Sequence, residues 1–195
     1  MSQPLGAAVG NTNEIIESVA VLRGEGPADV TELTLTFATE MLVLAGYGNR
    51  QDAEHAVKHA VSNGDALEVM MALTAKQGGD ARYIEDPDLF ERAPHEHVIE
   101  APVSGTVHRC DALSIGQAGV RLGAGRATKD SVIDPAVGFT VEKKVGDAVE
   151  AGEPLARVAF RDEGALASAL SVLQETWKIA DEPCEAPELI MGVST

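Results

Sequence analysis

The spacing of apolar residues changes period once along this chain, near residue 96, and that break constrains the fold more than any other feature. Before it, apolar residues recur every three or four positions between glycine stops, as helices require. After it, short alternating runs are separated by glycine turns, as strands require. An all-helical first half, residues 1–92, is therefore expected to precede an α+β second half, residues 93–195.

Four helices are predicted in the first half. Asn11 reads as an N-cap with Glu14 three residues on, and Ile15, Val19 and Leu22 follow at helical spacing until Gly24-Glu25-Gly26-Pro27. A second helix opens at Pro27 and Asp29, with Val30, Leu33, Phe37, Met41 and Leu44 as its apolar stripe, and ends at Gly46. The third runs from Gln51 to Ser62 with Ala53, Ala56, Val57, Ala60 and Val61 inward. In the fourth, Asp65 caps, Glu68 completes a box, Leu67, Met70, Met71 and Thr74 follow, with Met70 and Met71 read as core filler, and Gln77-Gly78-Gly79-Asp80 ends it. The opening MSQPLGAAVGN has neither period, and Pro4, Gly6 and Gly10 mark it as a shaped loop. With nothing before Met1 to hold it, that loop is expected to need support from an upstream segment.

In the second half, 97–102 and 105–109 read as two strands around a turn, and Ser114 to Leu122 as a short helix ended by Gly123-Ala124-Gly125. Val137 to Lys144 and Leu155 to Phe160 read as further strands. Glu163 to Ala180 reads as one closing helix, with Leu166, Leu170, Leu173 and Trp177 on one stripe.

Composition excludes several classes of function. With 31 acidic against 15 basic residues, the chain has a formal charge of −16, the wrong sign for a nucleic-acid or anionic-membrane face. Aromatic residues make up 4%, too few for base-stacking platforms. No apolar run reaches the ~20 residues a membrane helix needs, and no basic segment precedes an apolar one near Met1, so a cytoplasmic protein is expected. Cys110 and Cys184 are too few for a disulfide framework or thiolate cluster.

The chemistry-bearing clusters are sparse. His55 and His59 lie four apart on one helix face, a metal-compatible spacing with no evident third ligand. His95 and His97 flank a strand start. Gly123-Ala124-Gly125-Arg126 is glycine-rich enough to approach an anion, but it follows a helix, whose end presents carbonyls, so a glycine stop with a salt-bridged Arg126 is the expected reading. Val103-Ser104-Gly105 lacks the leading glycine of a nucleophile elbow, and no phosphate-binding P-loop is present. The strand–Gly–strand of 98–107 and the VGDAVEAGEPLA turn of 145–156 resemble the two halves of a biotinyl- or lipoyl-type barrel-sandwich. Lys129, Lys143 and Lys144 are the lysines in reach, and none sits in the tight flanked hairpin of a carrier. A non-catalytic binding or scaffold module of that shape is the alternative reading.

Longer blocks carry a more specific likeness. Met1-Ser2-Gln3-Pro4-Leu5-Gly6, Ala8-Val9-Gly10-Asn11, Gly24-Glu25-Gly26-Pro27, Gln77-Gly78-Gly79-Asp80, Leu122 through Lys129, Ile133-Asp134, Ala136-Val137-Gly138 and Lys143 through Asp147 resemble, in order, the pyrimidine-nucleoside phosphorylase (thymidine phosphorylase) family over its C-terminal portion. The resemblance implies an α+β fold, a helical segment of the large lobe packed with a C-terminal domain holding a barrel-sandwich-like (hammerhead) sheet. It implies a pentosyltransferase of nucleoside salvage and pyrimidine metabolism. Thymidine, uridine or deoxyuridine reacts there with phosphate to give the free base and a pentose 1-phosphate. It also implies a homodimer in the full-length enzyme. The family's phosphate loop and base-holding residues lie before the MSQPLG block, so no catalytic or substrate-binding residue is expected here, and the chain alone is expected to be inactive. One family site falls partly inside. A potassium ion would be held by the main-chain oxygens of Leu5 and Ala8 and the carboxylate of Glu17, a set of hard oxygens.

Overall fold

The computed structural model describes residues 2–192. Its order of elements is β1 (Ala8–Val9), α1 (Thr12–Leu22), α2 (Ala28–Leu44), α3 (Arg50–Ser62), α4 (Asp65–Lys76), α5 (Arg82–Glu85), β2 (His95–Glu100), β3 (Gly105–Cys110), α6 (Ala112–Leu122), β4 (Gly138–Val141), β5 (Ala148–Val149), β6 (Pro154–Phe160), α7 (Glu163–Leu173) and β7 (Trp177–Ala180). This is a mixed α/β chain with two antiparallel sheets, ordered β1-β4-β6-β2 and β5-β3-β7. Among the described residues the sheets stay separate and do not close into one barrel. Two compact units result among the described residues: 2–15 with 91–188, and 16–90 with 189–192.

The first unit holds the main core. Phe139, Ile115, Leu155, Val107 and Val158 are fully buried there. Helix α6 turns Ile115, Ala118, Gly119 and Leu122 inward, and α7 turns Leu166, Ala169 and Leu173 inward. Small residues on both helices allow close packing. Each helix starts on an aspartate. Asp111 accepts from the Ser114 N–H (2.7 Å) and Asp162 from the Ala165 N–H (2.7 Å), which satisfies donors the first turn leaves open.

The chain changes sheets at two adjacent corners. Strand β2 pairs with β6 in one sheet, while β3 pairs with β5 in the other, so 101–104 and 150–153 both cross over. The corners are stitched together by Ala101 N–H to Glu153 O (2.8 Å), Gly152 N–H to Ala101 O (2.8 Å) and Ala151 N–H to Ser104 Oγ (2.9 Å). Gly105 is required at the first corner, because a Cβ there would lie 2.6 Å from the Ala180 carbonyl oxygen.

Five expectations need correction. The strands flanking 101–104 do not form a hairpin with each other, since each finds its partner some fifty residues downstream. The closing helix stops at Leu173. Thr176 turns the chain, its carbonyl accepts from Asp111 N–H (3.0 Å), and Trp177 to Ala180 pair with β3 as a strand. Helix α4 is preceded by Gly64 at φ +89° with no side-chain cap, and Asp65 is its first residue. Asn11 sends its amide to Ala124 O (2.7 Å), Glu14 accepts from Gly10 N–H (2.8 Å), and the Glu14 N–H goes to Asn13 Oδ1 (3.0 Å) where the expected box would have Asn11 accept it. Finally, the second-helix stripe faces outward at its C-terminal end: Phe37, Met41 and Leu44 are 59, 69 and 86% exposed.

The second unit is helical and thinly cored. Val19, Val21, Ala53 and Ile84 are its buried apolar residues among those described. Helix α3 carries the full capping box, Asn49 with Asp52. Arg23 ties the unit internally by donating to the carbonyls of Ile84 (3.3 Å) and Glu85 (2.6 Å). No helix among the described residues is long and apolar enough to cross a membrane.

Candidate functional site

The opening loop is an irregular segment of the first unit that downstream elements hold in place. Gln3 Oε1 accepts from Val145 N–H (2.9 Å), Ala7 O from Val141 N–H (2.7 Å), and Pro135 O from Thr12 N–H (3.1 Å). Asn13 Nδ2 donates to Phe139 O (2.8 Å) and to Val9 O (3.3 Å), clamping β1 and β4 together. The support expected from an upstream segment thus comes in part from residues 135–145. Gly6, at φ +68°, makes the turn that brings the chain onto the sheet edge.

Register determines where the main-chain oxygens point. Ala8 stands opposite Thr140 and Val9 opposite Phe139. The Val141–Ala7 bond makes 7/141, and two residues on 9/139, the bonded positions of this antiparallel pair. Ala8 lies between them, so its carbonyl is directed away from β4. Strand β1 ends the sheet, and that direction is its outer edge. Leu5 lies three residues earlier in the same loop, half-buried. The structure therefore places two of the three predicted cation ligands in one supported segment. Glu17, half-buried on the second turn of α1, is counted with the second unit. A carbonyl turned off a sheet edge fits a hard cation, which binds oxygen.

The other sequence candidates fare differently. His55 and His59 have ring centroids 6.4 Å apart and line an open groove with Tyr47, Asp52 and Asp65. Asp52 is committed to the Asn49 cap and Asp65 accepts from Asn63. Among the described residues no group of three or more His, Cys, Asp or Glu is arranged to hold a metal. His95 stacks obliquely on Phe160, 5.4 Å between centroids. Gly123 ends α6 at φ +103°, and the carbonyls that follow are taken by Asn11 Nδ2 and Asp134 N–H, so this turn presents acceptors. Arg126 is exposed and makes no ion pair among the described residues, which corrects the expected salt bridge. Lys143 Nζ is held by Glu153 Oε1 (2.6 Å) and Ala148 O (3.2 Å), and neither corner tip carries a lysine. Burial pushes the Cys110 thiol up to about 12, so it is an inert core residue.

Sequence reasoning missed Asn13 and Gly138, which position the loop. Asn13 sits mid-pattern in a helix, and a Cβ on Gly138 would lie 2.6 Å from Val9 O. Both needs arise from contacts more than a hundred residues apart in sequence, and no local pattern signals them.

Comparison with known proteins gives a consistent result. Residues 106–180 match the family model described as pyrimidine nucleoside phosphorylase C-terminal domain, a span that opens in β3 and closes with β7. A pyrimidine-nucleoside phosphorylase of Geobacillus stearothermophilus is 40% identical over 191 residues, 97% of this chain and 44% of the relative. One of Bacillus subtilis is 41% identical across the whole chain and 45% of its own length. One of Staphylococcus haemolyticus is 44% identical over 156 residues, 80% of this chain and 36% of the relative. The chain spans a little under half the length of the Geobacillus and Bacillus relatives.

Proposed function

Because the chain is a homologue of the C-terminal portion of pyrimidine-nucleoside phosphorylases, we propose that it serves as the C-terminal part of such an enzyme, in cytoplasmic nucleoside salvage. The reaction would be phosphorolysis: phosphate displaces the base of thymidine, uridine or deoxyuridine to leave a pentose 1-phosphate. Identity of about 40% maintained over nearly the whole chain carries this reading. Such chemistry needs an anion cradle and donors converging on a pyrimidine and on a developing oxocarbenium charge. In the described residues the glycine turn at 123–125 presents acceptors, and the formal charge is −16. Both support a catalytic half elsewhere in the full-length homodimer and no turnover by this chain alone. The paired corners at 101–104 and 150–153 support reading the two sheets as the faces of a barrel-sandwich without carrier chemistry.

The cation reading is part of the same proposal. Potassium would be held by the carbonyl oxygens of Leu5 and Ala8 and by the Glu17 carboxylate, with further ligands from the N-terminal portion. Bound there, the ion supplies fixed positive charge that neutralises Glu17 and stiffens the loop. This chain's own contribution is positional, since Gln3, Asn13 and Val141 hold the loop to the sheet.

A chimera tests the reading: this chain replaces the stretch it matches in the Geobacillus stearothermophilus relative. The chimera should convert uridine or thymidine with phosphate, and the chain alone should not. A folded but inert chimera, or turnover by the isolated chain above a mock preparation, would overturn it. In the active chimera, Glu17→Gln should raise the potassium concentration for half-maximal activity about tenfold or more, since removing a ligand should cost at least what losing a group that merely orients a ligand does. An unchanged potassium titration removes the cation assignment.

A further inference from the structure

Helix α3 carries two imidazoles on one face. His55 and His59 are four residues apart, so they stand one turn above the other. Their ring centres are 6.4 Å apart and the ring planes are tilted by 45°. Both side chains are exposed, and neither ring makes a hydrogen bond or ion pair among the described residues. Two other histidines are engaged: His108 is bonded to Glu182 O (2.8 Å), and His95 is stacked on Phe160. The helix itself is fixed, with the Asn49–Asp52 box at its start and Ala53 buried beneath it. The groove that the two rings line is shared with Tyr47, Asp52 and Asp65, and no lysine or arginine lines it. The cations of α3 are taken up elsewhere, Lys58 by Glu54 (2.6 Å) and Arg50 by Glu40.

We propose that His55 and His59 form an open two-point site for a divalent transition-metal ion of the zinc, nickel and copper class. The site lies within one helix of this chain and does not depend on the proposed function. Neutral imidazole suits these ions, whereas magnesium and calcium take oxygen. Metal–nitrogen bonds are about 2.0–2.1 Å long. One ion can therefore lie between the rings at the observed separation, and exposed rings can turn to close on it. Among the described residues no group of three or more His, Cys, Asp or Glu is arranged to hold a metal. Two protein ligands are too few for a closed structural site, and the remaining positions fall to water. Asp52 and Asp65 are held by Asn49 and Asn63, so their part is to add negative potential to the groove. A bound ion would tie one turn of α3 to the next, in a unit whose buried apolar residues are few. Binding to the folded helix alone would stabilise that unit by mass action.

Calorimetric titration of the whole chain with nickel chloride, and separately with zinc chloride, tests the site. Each ion should bind, and magnesium chloride at the same concentration should give no heat of binding. His55→Gln and His59→Gln should each weaken nickel binding about tenfold or more, since a lost ligand should cost at least as much as a lost group that orients one. Both positions are exposed, so the circular dichroism of the variants should match that of the parent. His97→Gln and Cys184→Ser, which remove the other candidate donors, should leave the nickel affinity unchanged. Saturating nickel should also slow amide exchange across residues 55–63 in the parent and have no effect there in the double glutamine variant. Nickel affinity unaltered by the two glutamine substitutions, or lost with His97 or Cys184 instead, would overturn the assignment. So would nickel binding that leaves exchange in α3 untouched. An equal heat with magnesium would point to the carboxylates and overturn it as well.

Discussion

Replacing Gly138 with alanine should detach the opening loop from the sheet it edges. The new Cβ would stand 2.6 Å from Val9 O, 3.0 Å from Asn13 Nδ2 and 3.3 Å from Gly10 Cα. Two of those three atoms are main chain, so rotamer changes cannot relieve the contact, and β1 must move off β4. The Asn13–Phe139 bond (2.8 Å), the Val141–Ala7 bond (2.7 Å) and the Val9/Phe139 ladder position are then stretched or lost. At about 1 kcal/mol net for each, the loss is about 3 kcal/mol. Against it stands a gain of roughly 0.4–1 kcal/mol from the stiffer unfolded chain. The expected net destabilisation is about 2 kcal/mol. Trp177, the single tryptophan, lies in the first unit, so urea unfolding followed by its fluorescence reports the right transition. Amide exchange over residues 5–13 should accelerate in the same variant. Gly116→Ala is the control: it lies on the exposed side of α6, its Cβ meets nothing within 4 Å, and alanine there should stabilise by about 0.5–1 kcal/mol. A Gly138→Ala protein within ~0.5 kcal/mol of the parent, with unchanged exchange at 5–13, would refute the account of how the loop is held.

Two further outcomes follow from single side chains. Asp111 caps α6 and pairs with Arg109 (2.7 Å); the Arg109 hydrogen bond, then that from Ser114, hold its carboxyl down to about 2. A carboxyl lowered in the folded state stabilises above its unfolded value and loses that contribution as pH falls through the folded one. Asp111→Ala should therefore cost about 1 kcal/mol at neutral pH, with the gap to the parent narrowing between about pH 4 and pH 2; a gap independent of pH in acid urea titrations would contradict it. Ellman's reagent should titrate Cys184 in the native protein and Cys110 only after unfolding, because Cys110 is fully buried with its thiol raised to about 12. Rapid native reaction of both thiols would count against that burial.

Much of the helical segment is readable from spacing, and the exceptions have physical causes. In α3, Ala53 is buried and Ala56, Val57, Ala60 and Val61 are half-buried, as the spacing predicts. In α4, Leu67, Met70, Met71 and Thr74 are likewise the covered side. For α2 the stripe is real but its direction is not written in the sequence, because amphipathicity names a face and leaves open what covers it. The closing segment fails differently. Leu166, Leu170, Leu173 and Trp177 keep helical spacing to the end, yet Asp111 N–H takes the Thr176 carbonyl and β3 recruits Trp177 to Ala180. Propensity is local, and the pairing that overrode it is some seventy residues distant.

The candidate cation loop carries this distinction furthest. The two main-chain ligands proposed for it would use oxygens that every residue has, so leucine and alanine at positions 5 and 8 say nothing about binding. What qualifies Ala8 is the direction of its carbonyl, which the 7/141 and 9/139 bonds determine. That register needs a glycine at 138 and an amide at 13, where Asn13 bridges 126 positions to Phe139. A one-residue slip of β1 would exchange bonded for unbonded positions and turn the Ala8 oxygen into the sheet. Any cation binding by this loop is thus specified by Asn13, Gly138 and Val141, none of them a ligand. Substitutions at Asn13 and Gly138, whose side chain and lack of one set the register, should therefore alter potassium dependence in the chimera as strongly as Glu17→Gln does; Val141 acts through its main-chain N–H, which a side-chain change leaves in place. Potassium titrations unchanged by Asn13→Ala would separate loop register from binding and leave the Ala8 assignment without its support.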